Sequence, residues 1–144
     1  MLKCGGFVIL VVMKKGYKIN IEEETISNKD YRRVLYTGEH SQLVLMTLQP
    51  GEEIGLEIHK GNDQFFRIES GHGKVVINET TYEVGDGDAL VVPSGAQHNV
   101  INISDSETLN LYTVYSPAHH KDQTVHATKA DEVEEEFDGV TTES

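Results

Sequence analysis

The stretch Gly87-Asp88-Ala89-Leu90-Val91-Val92-Pro93-Ser94-Gly95-Ala96-Gln97-His98-Asn99-Val100-Ile101-Asn102 decides how the rest of the chain is read. Its apolar run, 89–92, is short for a helix and is stopped by Pro93-Ser94-Gly95, a turn that ends a strand sharply. A second run, 98–102, begins on a histidine. Outward from here, short apolar runs alternate with glycine, proline and polar turns, and helical periodicity is absent from residue 41 to the end of this pattern. Strands are expected at 42–48, 56–59, 65–69, 73–77, 80–84, 89–92, 98–102 and 109–115. Asn78-Glu79 joins two of them tightly, and Gly85-Asp86-Gly87 supplies positive φ. So many short strands in one segment imply an all-β sandwich or a barrel closed on itself.

Within this pattern, residues with metal-ligand chemistry occupy places where alternation would put apolar ones. Glu57 and His59 are two apart, so on a strand both side chains project from one face. Gln64 follows a short turn, 60–63, that brings the next strand back alongside. His98 is the third strong ligand candidate.

These two segments resemble the paired motifs of the cupin superfamily. The second motif is matched without a gap by Gly87, Pro93, Gly95, His98 and Asn102. The first keeps Gly51, His59, Gly71 and the spacing, with Glu57 in place of its first histidine and Gln64 in place of its glutamate. The short distance from Gly71 to Gly87 is like that of compact single-domain cupins, and the resemblance is nearest to those labelled mannose-6-phosphate isomerase-like. It implies a double-stranded β-helix, a jelly-roll barrel, over roughly residues 40–117, with one divalent metal held by Glu57, His59, Gln64 and His98.

Two imidazoles, one carboxylate and a weaker amide oxygen favour iron(II) or manganese, with nickel or zinc as alternatives. Thiolates are missing from the set, which disfavours a closed structural zinc site. His40, His72, His119 and His120 fall outside the motifs and read as surface or turn residues, while His126 receives no role. Phe65, Phe66, Tyr112 and Tyr115 are expected to pack the barrel, and Arg67 is a candidate for an anionic substrate if it faces inward.

The 144 residues suffice for one domain, and 24 acidic against 12 basic side chains leave a charge of -12, which repels nucleic acid and anionic membrane surfaces. A single cysteine, Cys4, gives no disulfide framework and fits a reducing, cytoplasmic setting. The apolar run 7–13 is short of the roughly 20 residues that cross a bilayer, and no small-residue cleavage site follows it. Residues 1–16 read as an N-terminal extension, with translation starting at Met13, 17–40 as a lead-in, 41–117 as the barrel and 118–144 as a solvated acidic tail with a short helix after Thr128.

The expected function is a metal-binding protein that holds a small oxygen-bearing molecule in a mostly apolar barrel pocket. Two classes stay open. One is a metal-dependent enzyme, either a sugar-phosphate isomerase-like protein or a non-haem-iron oxygenase of dioxygenase type. The other is a non-catalytic binding or sensing module. The exposed edge of a small barrel gives a reason to expect a homodimer.

Overall fold

The computed structural model describes residues 2–4, 6–9 and 13–144. The expected start at Met13 and the unpartnered Cys4 concern 1–12, of which 1, 5, 10–12 and the side chains of 2–4 and 7–9 lie outside the described residues. Strands β1 (Leu2–Cys4) and β2 (Phe7–Ile9) form a separate antiparallel ribbon. Helix α1 (Ile21–Ser27) starts where the Asn20 side chain accepts a hydrogen bond from the Glu23 N–H at 3.1 Å, with Glu22, Glu23 and Glu24 in its first turn. Both features suit the exposed amides and positive end of a helix N-terminus.

The remaining strands are β3 (Arg32–Thr37), β4 (Gln42–Leu48), β5 (Glu57–Ile58), β6 (Asp63–Ser70), β7 (Gly73–Ile77), β8 (Thr80–Val84), β9 (Ala89–Val92), β10 (Gln97–Asn102), β11 (Leu109–Ser116) and β12 (Val125–His126). They form a four-stranded sheet in the order β5-β10-β7-β8 and a six-stranded sheet in the order β12-β3-β4-β11-β6-β9, all antiparallel. The expected all-β architecture is what the chain adopts. Expected and observed bounds coincide at β4, β7, β8 and β9, whereas β5 shrinks to two residues.

Each sheet turns one apolar face to the other. Val75, Val84 and Val100 from the smaller sheet meet Val44, Met46, Leu48, Phe66, Ile68, Leu109 and Leu111 from the larger. Period-two alternation decides which aromatics take part. On β6 the inward set is Gln64, Phe66 and Ile68, and on β11 it includes Thr113 and Tyr115. Phe65 and Tyr112 therefore do not fill the barrel as expected: they lie on the outer face, ring centroids 6.2 Å apart. Arg67 shares that outer face and pairs with Glu69 at 3.0 Å, so it does not reach the interior.

The larger sheet extends beyond 41–117, since β3 comes from the lead-in and β12 from the tail. Two charged residues open β3, Arg32 at an inward position, and a register shift falls between Val34 and Tyr36, so its alternation is masked in the sequence. The short helix expected after Thr128 is a 3-10 turn, Lys129–Asp131, closed by Thr128 N–H and Oγ1 donating to the Asp131 carboxylate. Further on, the Glu143 carboxylate accepts from the N–H groups of Lys15 and Gly16 at 2.8 and 3.1 Å and from the Tyr36 hydroxyl at 2.6 Å.

Two motif glycines separate conformational from steric demand. Gly51 has φ +75 with open space around the missing Cβ, whereas at Gly71, φ +100, a Cβ would strike the Thr108 carbonyl oxygen and lie 3.0 Å from Leu109 Cα. Gly51→Ala should cost about 1 kcal/mol and Gly71→Ala about 3 kcal/mol, the second adding overpacking to left-handed strain. Urea midpoints of the two variants check this, and equal losses would refute the steric account.

Candidate metal centre

The pairing of β5 with β10 sets His98 opposite Glu57, so their side chains share the inner face of the smaller sheet. His59, two residues beyond Glu57, joins them, and its Nε2 lies 2.9 Å from Glu57 Oε2. One ligand atom from each of Glu57, His59 and His98 falls within 4.8 Å of the other two, a spacing that can hold a metal ion. His98 is 3% exposed, and its Nδ1 faces the Ala96 carbonyl oxygen at 3.2 Å. That carbonyl can only accept, so the proton sits on Nδ1 and the Nε2 lone pair is left for a ligand role.

Gln64 enters from the opposite sheet and is 2% exposed. Its amide donates to Thr113 Oγ1 at 3.0 Å, while its Oε1 is buried without a hydrogen-bond partner among the described residues. A buried amide oxygen left unpaired is costly. Its cross-strand neighbour Tyr115 sets its ring edge-on to His59 at 5.7 Å, so the strand position of Gln64 adjoins a residue that packs on the cluster. The residues therefore fit a divalent cation: two imidazoles, one carboxylate and an acceptor that nothing else satisfies.

His40 and His72 are exposed, as expected. The same expectation fails for His119 and His120. The His119 ring lies 4.3 Å from that of His59 and stacks on Tyr115 at 5.3 Å, and His120 Nε2 is 3.2 Å from the Tyr115 hydroxyl. Buried Gln42 holds this segment: its Oε1 accepts from the N–H groups of His119 and His120, and its Nε2 donates to the His120 carbonyl at 2.7 Å. The sequence signal that was missed is Gln42 itself, a polar residue at an inward position of an otherwise apolar strand.

Electrostatics follow from burial. Desolvation alone would raise the Glu57 carboxyl, but the hydrogen bond and charge of His59, with Arg32 nearby, outweigh it and hold the group below the ordinary carboxylate value. Burial pushes His98 down against the opposing pull of the Ala96 carbonyl. His119 is lowered by burial and the neighbouring His59, and His120 is lowered to about 2 by burial and by Arg32. A cavity of about 300 Å³ opens beside these groups, lined by Arg32, Glu57, His59, His119, His120 and the tail residues 132–136. The lining is mostly polar rather than apolar, and the acidic tail covers the site instead of being merely solvated.

Comparison with known proteins shows the family and the fold. The family described as Cupin domain matches residues 44–115. YrkC of Bacillus subtilis is 46% identical over 125 residues, covering 83% of this chain and 67% of that protein. L612 of Acanthamoeba polyphaga mimivirus is 46% identical over 107 residues, covering 72% and 67%. The crystal structure of BH2720 from Bacillus halodurans superposes with TM-score 0.79 at 44% identity, covering 81% of this chain and 92% of that one.

His98, His119 and His120 all have folded-state values below that of a free imidazole, so below about pH 6.5 the unfolded chain binds more protons than the folded one. Their contribution to stability is complete above that pH and is lost as pH falls through it. The lowered Glu57 loses its contribution only in the more acidic carboxylate range. For metal-free protein the urea midpoint should therefore drop between pH 7.5 and 5.5, and His120→Gln should shrink the drop. An undiminished drop would refute the assignment.

Proposed function

Because the chain belongs to the cupin domain family, we propose that it binds one divalent metal ion through Glu57, His59 and His98, with Gln64 as a weaker fourth donor, and holds a small oxygen-bearing molecule beside it. The observation that supports this most is the convergence of three ligand atoms within 4.8 Å. When bound, such an ion polarises an oxygen of the ligand. The donor set favours iron(II) or manganese over nickel or zinc. The chain's own groups orient the site: Ala96 fixes the His98 tautomer, Thr113 fixes the Gln64 amide, and Tyr115 with His119 walls off the His59 ring.

A metal-dependent enzyme is the reading taken here. Of its two types, the oxygenase is better supported than the sugar-phosphate isomerase. The carboxylates of 132–136 line the cavity, and their negative charge disfavours a phosphate dianion. The mannose-6-phosphate isomerase-like subgroup has no support in the relatives matched. A homodimer is part of the same proposal, supported by β8, an edge strand with four of its five residues exposed. So is a cytoplasmic setting. Among the described residues no helix is long and apolar enough to cross a membrane.

Protein purified without chelators should contain about one equivalent of metal per chain, the occupancy expected of a single site. Alanine at Glu57, His59 or His98 should remove most of it, and Gln64→Ala should weaken affinity by roughly 10- to 100-fold. Elemental analysis decides, and undiminished metal in His98→Ala would sink the ligand assignment. Light scattering of the same samples should return twice the chain mass, and a monomer would refute the dimer.

A further inference from the structure

Among the described residues Arg32 heads the largest fully buried side chains, at 2% exposure, and it lines the cavity beside Glu57 and His59. It occupies the inward position of β3 opposite Met46, where an apolar residue would complete the core at no electrostatic cost. A guanidinium buried this deeply is expensive unless its five N–H donors are filled. They are not. Nη1 donates to Glu132 Oε1 at 3.1 Å and lies 3.3 Å from His126 Nδ1, while Nε is buried with no partner among the described residues. The Tyr31 ring lies 5.2 Å from the guanidinium carbon and adds a cation–π contact, which confines the group without satisfying its donors.

The carboxylate that meets Arg32 comes from far along the sequence, and its side chain is 29% exposed. The chain around it is fastened without it. Phe137 N–H donates to the His119 carbonyl at 2.9 Å, Lys121 N–H to the Glu135 carbonyl at 3.1 Å, and the Thr128–Asp131 turn is closed on itself. The Glu132 side chain can therefore leave the guanidinium while the tail stays in place.

We propose that Arg32 is the recognition group for the carboxylate of a small 2-oxo or 2-hydroxy monocarboxylic acid, and that Glu132 is a built-in carboxylate standing in that ligand's place. The exchange conserves charge: one carboxylate leaves the guanidinium as another arrives, and the new contact is again a charge-assisted hydrogen bond. The cavity of about 300 Å³ suits a ligand of this size. A lone guanidinium behind an acidic rim fits a monoanion better than a phosphate dianion. The inference rests on the proposed metal site for the ligand's second oxygen, but the Arg32 contact itself does not need the metal.

Calorimetric titration of pyruvate and lactate, with pyruvamide and lactamide as uncharged counterparts, tests this on the full chain in metal-loaded and metal-free forms. The acids should bind at least about tenfold more tightly than the amides. Glu132→Gln, which removes the internal competitor from a solvent-accessible side chain, should tighten the acids about tenfold and leave the amides unchanged. Arg32→Lys should abolish the preference for the acids, and if it fails to fold, Glu132→Gln decides alone. A wild-type chain that takes up no metal yet prefers acids to amides would overturn the metal reading and uphold this one. Metal-loaded protein that binds amides as tightly as acids, Glu132→Gln that binds acids no tighter than wild type, or inorganic phosphate that outcompetes pyruvate would overturn this one.

Discussion

The pairing of two residues of β5 with β10 is the contact on which the site depends. Glu57 and His98 come from distant parts of the sequence, and their side chains meet because Glu57 stands opposite His98 in an antiparallel register. A slip of one residue would turn Glu57 to the other face and break the cluster. Short as it is, β5 is braced on both sides. The Gly95 N–H donates to the His59 carbonyl at 2.9 Å, and the Gly55 N–H donates to the Asn99 side chain at 2.8 Å. The motif glycines and Asn102, whose amide donates to the carbonyls of Leu48, Gln49 and Glu107, secure the turns that make this register the one available.

Polar groups inside an apolar sandwich are costly unless each finds a partner, and the interior resolves that in two ways. Structural amides are fully engaged: Asn110 donates to the carbonyls of Thr25 and Asn28 and so ties α1 to the sheet, and Gln42 grips the chain at His119 and His120. Among the described residues four buried polar atoms lack a hydrogen-bond partner, those of Tyr31, Arg32, Gln64 and Arg67, and of these residues Arg32 lines the cavity. At Arg32, then, unmet demand lies where a ligand can supply what the protein does not.

The sheets and most of the candidate metal cluster were legible because their signals are local. Alternation marks strands, and the i, i+2 spacing of Glu57 and His59 fixes a shared face without knowledge of anything distant. The motif spacing then tied His98 to them. His119 and His120 were not legible, since what draws them inward is the Gln42 amide far away in sequence, and a histidine pair next to lysine and aspartate reads as solvent-facing. Arg32 was hidden for the opposite reason. A charge at an inward strand position interrupts the very pattern by which strands are recognised, so β3 was missed along with the residue it carries. The tail failed on composition, because a run of carboxylates carries no sign of the one that turns inward.

The Glu143 carboxylate accepts hydrogen bonds from Lys15, Gly16 and Tyr36, so segments more than 120 positions apart in sequence are held within a hydrogen bond of each other. The stretch from residue 15 to residue 143 is in effect already a closed loop. A covalent joint between residue 15 and residue 143 would enclose a loop that the fold has closed, with little further loss of chain freedom, and the barrel could then be opened at an exposed turn such as Asn78-Glu79. The order in which the strands follow one another is thereby separable from the way they pack.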